Sequence, residues 1–282
     1  YHGYDYQLVE IGDQCWFREN LRAQSYANGD SIPSGLNNSE WSTTTSGASA
    51  VNGENGSNLE TYGRLYNWYA VEDARGLCPN GWHVPTDGEW MTLEMALGMS
   101  ESEANGTGWR GTDQGAQMKL NSGWSNNGNG TNSSGFSLLP GGLRYMSGSF
   151  GNPGVGGAWW SSSLVGSNAW IRHFSSANEN VNRYNDFRRV GWSVRCTKSA
   201  ADTCFDPDSD GVCPEDEISG CIDETACNYN AEATHDDGSC IPSQEAGSSC
   251  DDGDANTFND AWDAESCMCA GTPAVAEDGS GP

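Results

Sequence analysis

Carboxylates at alternating positions are the residues of this 282-residue chain whose spacing most directly specifies a chemistry. Asp206, Asp208 and Asp210, followed by Gly211 and then Glu217, fit the calcium-loop pattern D-x-D-x-D-G-x5-E. Alternation puts three carboxylates on one side of a tight turn and Gly211 permits the bend. Val212 offers its carbonyl and Glu217 closes the shell with two oxygens, a donor set suited to calcium. A second set, Asp252, Asp254, Asn256, Asp260 and Asp263, occupies relative positions 1, 3, 5, 9 and 12 of such a loop. Thr257 stands there in place of the usual glycine. Asn228, Asn230, Asp236 and Asp237 form a third cluster, which reads either as ligands or as Asx turns between cysteines.

The distribution of charge and cysteine agrees with a metal-filled tail. Residues 201–282 hold 21 acidic residues and no Lys or Arg, for a net charge of −21. Residues 1–200, with 13 basic and 18 acidic residues, carry −5. A block of one sign repels itself unless cations neutralise it, and clustered Lys and Arg, which phosphate binding needs, are missing from it. Nucleic acid is therefore excluded as a partner. Eight of the eleven cysteines (Cys204, Cys213, Cys221, Cys227, Cys240, Cys250, Cys267 and Cys269) fall within 66 residues. That density specifies a disulfide framework and an oxidising, extracellular compartment. Zinc is the competing reading, but C-x-x-C pairs and clustered His are absent. The pairing within the tail stays open. No apolar run approaches a membrane span, and Tyr1 is expected to follow a removed export signal or an upstream module.

In residues 1–200, serine-nucleophile and phosphate-loop motifs are missing, so no enzymatic role is expected there. His83, before a helix cap, reads as a packed or backbone-bonded ring rather than a catalyst. His173, on a strand beside Arg172, reads as a sheet-surface residue. Trp159, Trp160 and Trp170 with Arg172 form a candidate aromatic shelf for glycans. Neighbouring strand residues face opposite sides, so one of the Trp159–Trp160 pair could be exposed; the competing reading is that all are core.

The elements that must hold these residues are α+β in order. Strands are predicted over Tyr6–Ile11 and Cys15–Asn20, joined by a Gly12-Asp13 turn. Residues 23–60 read as a surface excursion. Helices are predicted over Tyr62–Arg75 and, after a Thr86…Glu89 capping box, from Glu89 to about Leu97. A short helix is placed near Gln114–Leu120. Strands follow over Phe136–Leu139, Ala158–Ser162, Ala169–Phe174, Val181–Tyr184 and Trp192–Cys196. The expected domains are 1–200, a cysteine-rich acidic tail over 201–272, and a linker over 273–282.

Six phrases in residues 1–198 carry a family resemblance: VEIGDQCWFRENL (9–21), YGRLYNWYAVEDA (62–74), CPNGWHVPTDGEW (78–90), GFSLLPGGLR (135–144), AWWSSS (158–163) and GWSVRCTK (191–198). Together they resemble the Fibrobacter succinogenes major paralogous domain of secreted Bacteroidetes and Fibrobacteres proteins. The resemblance implies a fold of the C-type-lectin-like or formylglycine-generating-enzyme kind, with few regular elements and long loops. Formylglycine-generating relatives use a cysteine pair near the end of the domain, where this chain has only Cys196. The sugar-binding calcium triplets of true C-type lectins are also missing. A bridge between Cys78 and Cys196 would close the second half of the domain, leaving Cys15 as the odd thiol. The phrases GCIDETACNYNAEATHDDGSC (220–240) and CDDGDANTFNDAWDAESCMCAGTP (250–273) resemble repeats of marine Bacteroidetes surface proteins, which are often exported by type IX secretion. The acidic loop at 206–217 resembles the thrombospondin type 3 or dockerin style of calcium site. The expectation is a non-enzymatic cell-surface module for adhesion, ligand binding or display, with glycan or protein ligands or assembly partners. Its alternatives are a polysaccharide-acting enzyme or accessory module, and a secretion cargo or structural subunit.

Overall fold

The computed structural model describes residues 1–199, 218–233, 235–244, 247–254, 257–263 and 267–273. The chain divides into two compact units, Tyr1–Thr203 and Cys204–Pro282. Its architecture is mixed, with many short strands, few helices and long connections.

In the first unit, β1 (Leu8–Ile11) and β2 (Gln14–Phe17) form a hairpin across Gly12-Asp13. Gly12 sits at φ +60°, which a side chain rarely adopts, and a Cβ there would meet Ala96 at 3.1 Å. The main sheet consists of β3 (Gly108–Arg110), β4 (Gly156–Val165), β5 (Asn168–Ser175) and β6 (Val181–Phe187), antiparallel in the order β3-β6-β5-β4. The first unit closes with β7 (Thr197–Ser199) on β2, so the strands that open and close this unit share one sheet. The principal helix, α1 (Asp87–Ala96), starts at the expected capping box: Thr86 Oγ1 accepts the Glu89 N–H, and Glu89 Oε2 accepts the Thr86 N–H at 2.6 Å.

The single helix predicted over Tyr62–Arg75 is not formed. Gly63, at φ +72°, lies so close to the Asn20 and Leu21 carbonyls that a Cβ would come within 2.9 Å of both. The chain breaks there between a helix over Gly56–Tyr62 and a two-residue strand, Leu65–Tyr66, paired with Ser49–Ala50. Asn67 then caps a one-turn helix, Trp68–Val71, accepting the Ala70 N–H. Residues 23–60 are more ordered than a surface excursion: a capped helix over Asn38–Thr43 buries Trp41 against Ala48 and Ala50. Within 136–139 only Leu138 bridges another segment, pairing with Lys119. Residues 192–196 likewise make isolated bridges, Trp192 to Tyr66 and Ser193 to Trp159.

Two large clusters form the core. One contains Tyr66, Trp68, Trp160, Ile171, Trp192 and Val194; the other contains Trp16, Trp90, Leu93, Phe136, Trp159 and Phe174. Strand β4 runs between them and gives one Trp to each. Both indoles are fully buried, so the expected exposed shelf at Trp159 and Trp160 does not exist. Alternation does send the pair to opposite faces, but both faces are covered. The two indole N–H groups find buried acceptors: Trp159 Nε1 donates to Asn20 Oδ1 at 2.8 Å and Trp160 Nε1 to the Tyr66 carbonyl at 2.8 Å.

Disulfides join Cys78 to Cys196 in the first unit and Cys221–Cys240, Cys227–Cys267 and Cys250–Cys269 in the second. Cys15 is a buried free thiol. Cys204 and Cys213 lie outside the described residues. The second unit is built on a hairpin of Thr257–Asp263 with Met268–Pro273 and a short parallel pair of Ser219–Gly220 with His235–Asp236. Among the described residues no helix is long and apolar enough to cross a membrane. The disulfides and the lack of such a helix fit an extracellular protein.

Candidate functional site

The main sheet has two unlike faces, fixed by strand alternation. Arg172 on β5 and Arg183 on β6 are directly paired, so they point the same way, toward α1. There they meet Asp87 and Glu94, seven residues apart on one face of the helix and both buried. Arg172 donates to Asp87 Oδ1 and to Glu94 Oε1, each at 2.7 Å, and Arg183 donates to Asp87 Oδ2 at 2.5 Å. Arg110 on β3 completes the set by pairing with Glu94 Oε2. Arg172 is therefore a lattice point between helix and sheet rather than part of a ligand shelf. Trp170, half-buried, lies under the Arg183 guanidinium at 4.0 Å.

On the opposite face, His173, Tyr184 and Asp186 border a cleft of about 530 Å³ with Trp192, Tyr145 and Phe187. The rings of Tyr184 and Trp192 lie 6.2 and 6.5 Å from that of His173, and the Trp109 ring lies 5.5 Å from it. Tyr145 and Phe187 are 41% and 54% exposed, so the cleft carries an accessible aromatic rim. His173 is half-buried on this sheet face, and burial pushes its imidazole down to about 4, leaving it neutral at pH 7. Burial also raises the Asp186 carboxyl, despite the hydrogen bond it accepts from Trp192 Nε1 at 2.9 Å. The cleft thus combines aromatic faces with one neutral imidazole and one hydrogen-bonded carboxyl, the mixture of apolar walls and few placed polar groups typical of small-ligand sites.

The His83 ring is half-exposed rather than packed. Its Nε2 lies 2.6 Å from Glu89 Oε1, so it braces the capping box of α1.

In the second unit, carboxylate oxygens of Asp251, Asp252 and Asp260 lie within 4.8 Å of one another. Asp252 and Asp260 were expected together. Asp251 was not in the predicted set, and Asp254 and Asp263 stand outside the group. The cause is the Thr257–Asp263 strand, which carries Asp260 back beside Cys250–Asp252 instead of continuing around a loop: Cys250 N–H donates to the Asp260 carbonyl and Asp252 N–H to Asp260 Oδ2. Asp260 Oδ1 is buried without a hydrogen-bond partner. Asn256 and the whole stronger candidate (Asp206, Asp208, Asp210, Val212 and Glu217) lie outside the described residues. In the third cluster, Asn230, Asp236 and Asp237 accept N–H groups two residues onward, as Asx turns do, and Asn228 Oδ1 accepts the Ile241 N–H.

Sequence alone indicates neither the buried ion network nor the cleft, although a signal for the network exists. Asp87 and Glu94 interrupt the same helical stripe as Trp90 and Leu93, where a carboxylate needs a buried partner.

No curated protein and no solved structure shows a significant match to this chain. Residues 9–198, the span that contains both the ion network and the cleft, match the family model of the Fibrobacter succinogenes major domain (Fib_succ_major), and the chain belongs to that family.

Proposed function

We propose that this protein is a non-enzymatic extracellular module that binds carbohydrate in the aromatic cleft of its first unit. The observation that carries the reading is the accessible rim of Tyr145 and Phe187 around His173, Tyr184 and Asp186. Aromatic faces take the apolar faces of sugar rings, and a neutral imidazole and a carboxyl can hydrogen-bond hydroxyls. Among the described residues Asp186 is the single carboxyl lining the cleft, whereas glycoside hydrolysis generally uses two; this favours binding over catalysis. The few regular elements and long connections support a C-type-lectin-like reading of the fold. Screening the chain on a glycan array identifies the ligand. Tyr145→Ala and Phe187→Ala are expected to weaken its binding at least tenfold, about 1.4 kcal/mol, with unchanged thermal stability because both rings are exposed. Unaltered affinity in both variants, or release of reducing ends from bound polysaccharide, would count against this reading.

For the second unit we infer calcium binding that stiffens the acidic tail for adhesion or display at a cell surface. Three converging carboxylates repel one another, and a divalent cation offsets that repulsion while giving Asp260 Oδ1 a partner. Chelation with EDTA is expected to speed proteolysis within 218–273 and leave 1–198 resistant. Equal protection of the tail with EDTA and with calcium would overturn the inference.

A further inference from the structure

A cavity of about 180 Å³ in the first unit is walled by Arg18, Arg22 and Arg195 together with Asn20, Thr61 and Ser137. Arg195 is buried, and four of its five N–H donors go to neutral acceptors. Nε donates to Asn20 Oδ1 at 2.9 Å, Nη1 to the carbonyls of Phe17 and Phe136 at 2.7 and 2.9 Å, and Nη2 to that of Ser137 at 3.2 Å. Among the described residues, none of the three arginines is within ion-pair distance of a carboxylate. Glu19, which also lines the cavity, accepts the Gln7 N–H at 3.0 Å instead.

Donors are left over as well. Arg18 uses Nε on the Gly135 carbonyl and Nη2 on Ser137 Oγ, with no partner for Nη1. Arg22 donates Nη2 to the Glu60 carbonyl and lays its guanidinium over the Tyr4 ring at 3.8 Å, while its Nε is buried and unpartnered. A buried donor without an acceptor is a standing cost, and desolvation, aided by the Arg18 charge and only partly offset by that of Glu19, pulls Arg195 down to about 9. The contrast with the Asp87–Glu94 network is instructive, because there every buried guanidinium has its carboxylate.

We propose that this cavity is a binding site for a compact oxyanion, a carboxylate or sulfate group, either free or carried on a sugar. The guanidinium fork matches the spacing of such oxygens. The volume suits a single charged group and excludes a polysaccharide chain, so the site stands independently of the aromatic cleft.

The test is thermal unfolding and calorimetric titration of the full chain with sodium sulfate, sodium glucuronate and a sulfated disaccharide. Sodium chloride and glucose at matched ionic strength are the controls. The expected result is a rise in Tm of several degrees over chloride with at least one oxyanion, together with a shift of the Arg22 and Arg195 Nε–H resonances in the unmodified protein. Response to sulfate identifies a free anion; response confined to glucuronate or the disaccharide identifies a sugar-borne group. Arg22→Gln is expected to weaken that binding at least tenfold, and Arg18→Gln to weaken it to a lesser degree. A Tm response no larger than that to chloride, unmoved Arg resonances, or unchanged affinity in both variants would overturn the proposal.

Discussion

Glu94→Gln is expected to lower the stability of the first unit by about 3–5 kcal/mol, the range for removing one member of a buried ion pair. Glu94 is fully buried and receives Arg172 Nε and Arg110 Nη2 on its two oxygens. The substitution preserves shape but removes the charge, and it turns a donor toward one of two guanidinium groups. Arg110, whose ionised form burial already disfavours, is left without its carboxylate. Urea unfolding monitored by Trp fluorescence gives the change directly, and a loss below about 1 kcal/mol would mean that water reaches the network. Replacing Glu94, Arg110 and Arg172 together by apolar residues is expected to recover part of the loss, because no uncompensated charge remains.

Acid should dissect the same network. Burial opposes ionisation of Asp87, but the Arg183 hydrogen bond and the Arg172 charge more than offset it and hold the carboxyl below its usual range. A carboxyl depressed in the folded state adds stability that is fully present above its unfolded pKa of about 3.9 and is lost as pH falls through its lower folded value. Stability measured against pH should therefore fall below about pH 4, and Asp87→Asn should flatten that decline while lowering the plateau above it.

Local signals in the sequence were strong where one residue type decides the backbone. The capping box at Thr86 and Glu89, the Gly12-Asp13 hairpin and the strands around Trp160, Ile171 and Tyr184 all have such signals. The aromatic periodicity of 62–75 points to one helix through Gly63 and Asn67, whereas the close approach of Gly63 to Asn20 and the cap at Asn67 make these residues boundaries. Exposure was the harder quantity. Alternation shows that Trp159 and Trp160 face opposite ways but not that both sides are covered. The cleft draws Tyr145, His173, Asp186 and Trp192 from separate segments, so no local spacing could reveal it. In the tail, ligand spacing assumed a continuous loop, whereas hairpin pairing sets Asp260 beside Asp251.

The Cys78–Cys196 bridge is the other feature whose removal should be felt throughout the first unit. Cys78 precedes the cap of α1, and Cys196 immediately precedes β7, which pairs with β2 and, through Thr197, with His83. The crosslink therefore ties the closing strand to the start of the principal helix. It spans 118 residues, and the chain-entropy model assigns a loop of about that length close to 4.7 kcal/mol through restriction of the unfolded chain. Both sulfurs are buried, so serine at these positions would add the separate cost of buried hydroxyls. The Cys78→Ala/Cys196→Ala pair isolates the crosslink more cleanly. For a unit of this size, 1 kcal/mol corresponds to about 2–4 °C, and the double variant should melt about 10–20 °C lower. A reducing agent would not make the same measurement, because it also opens the bridges among the described residues of the second unit. A fall of only a few degrees in the alanine pair would mean that β7 is held by its pairing with β2 alone, and that the unfolded chain already keeps these two segments near each other.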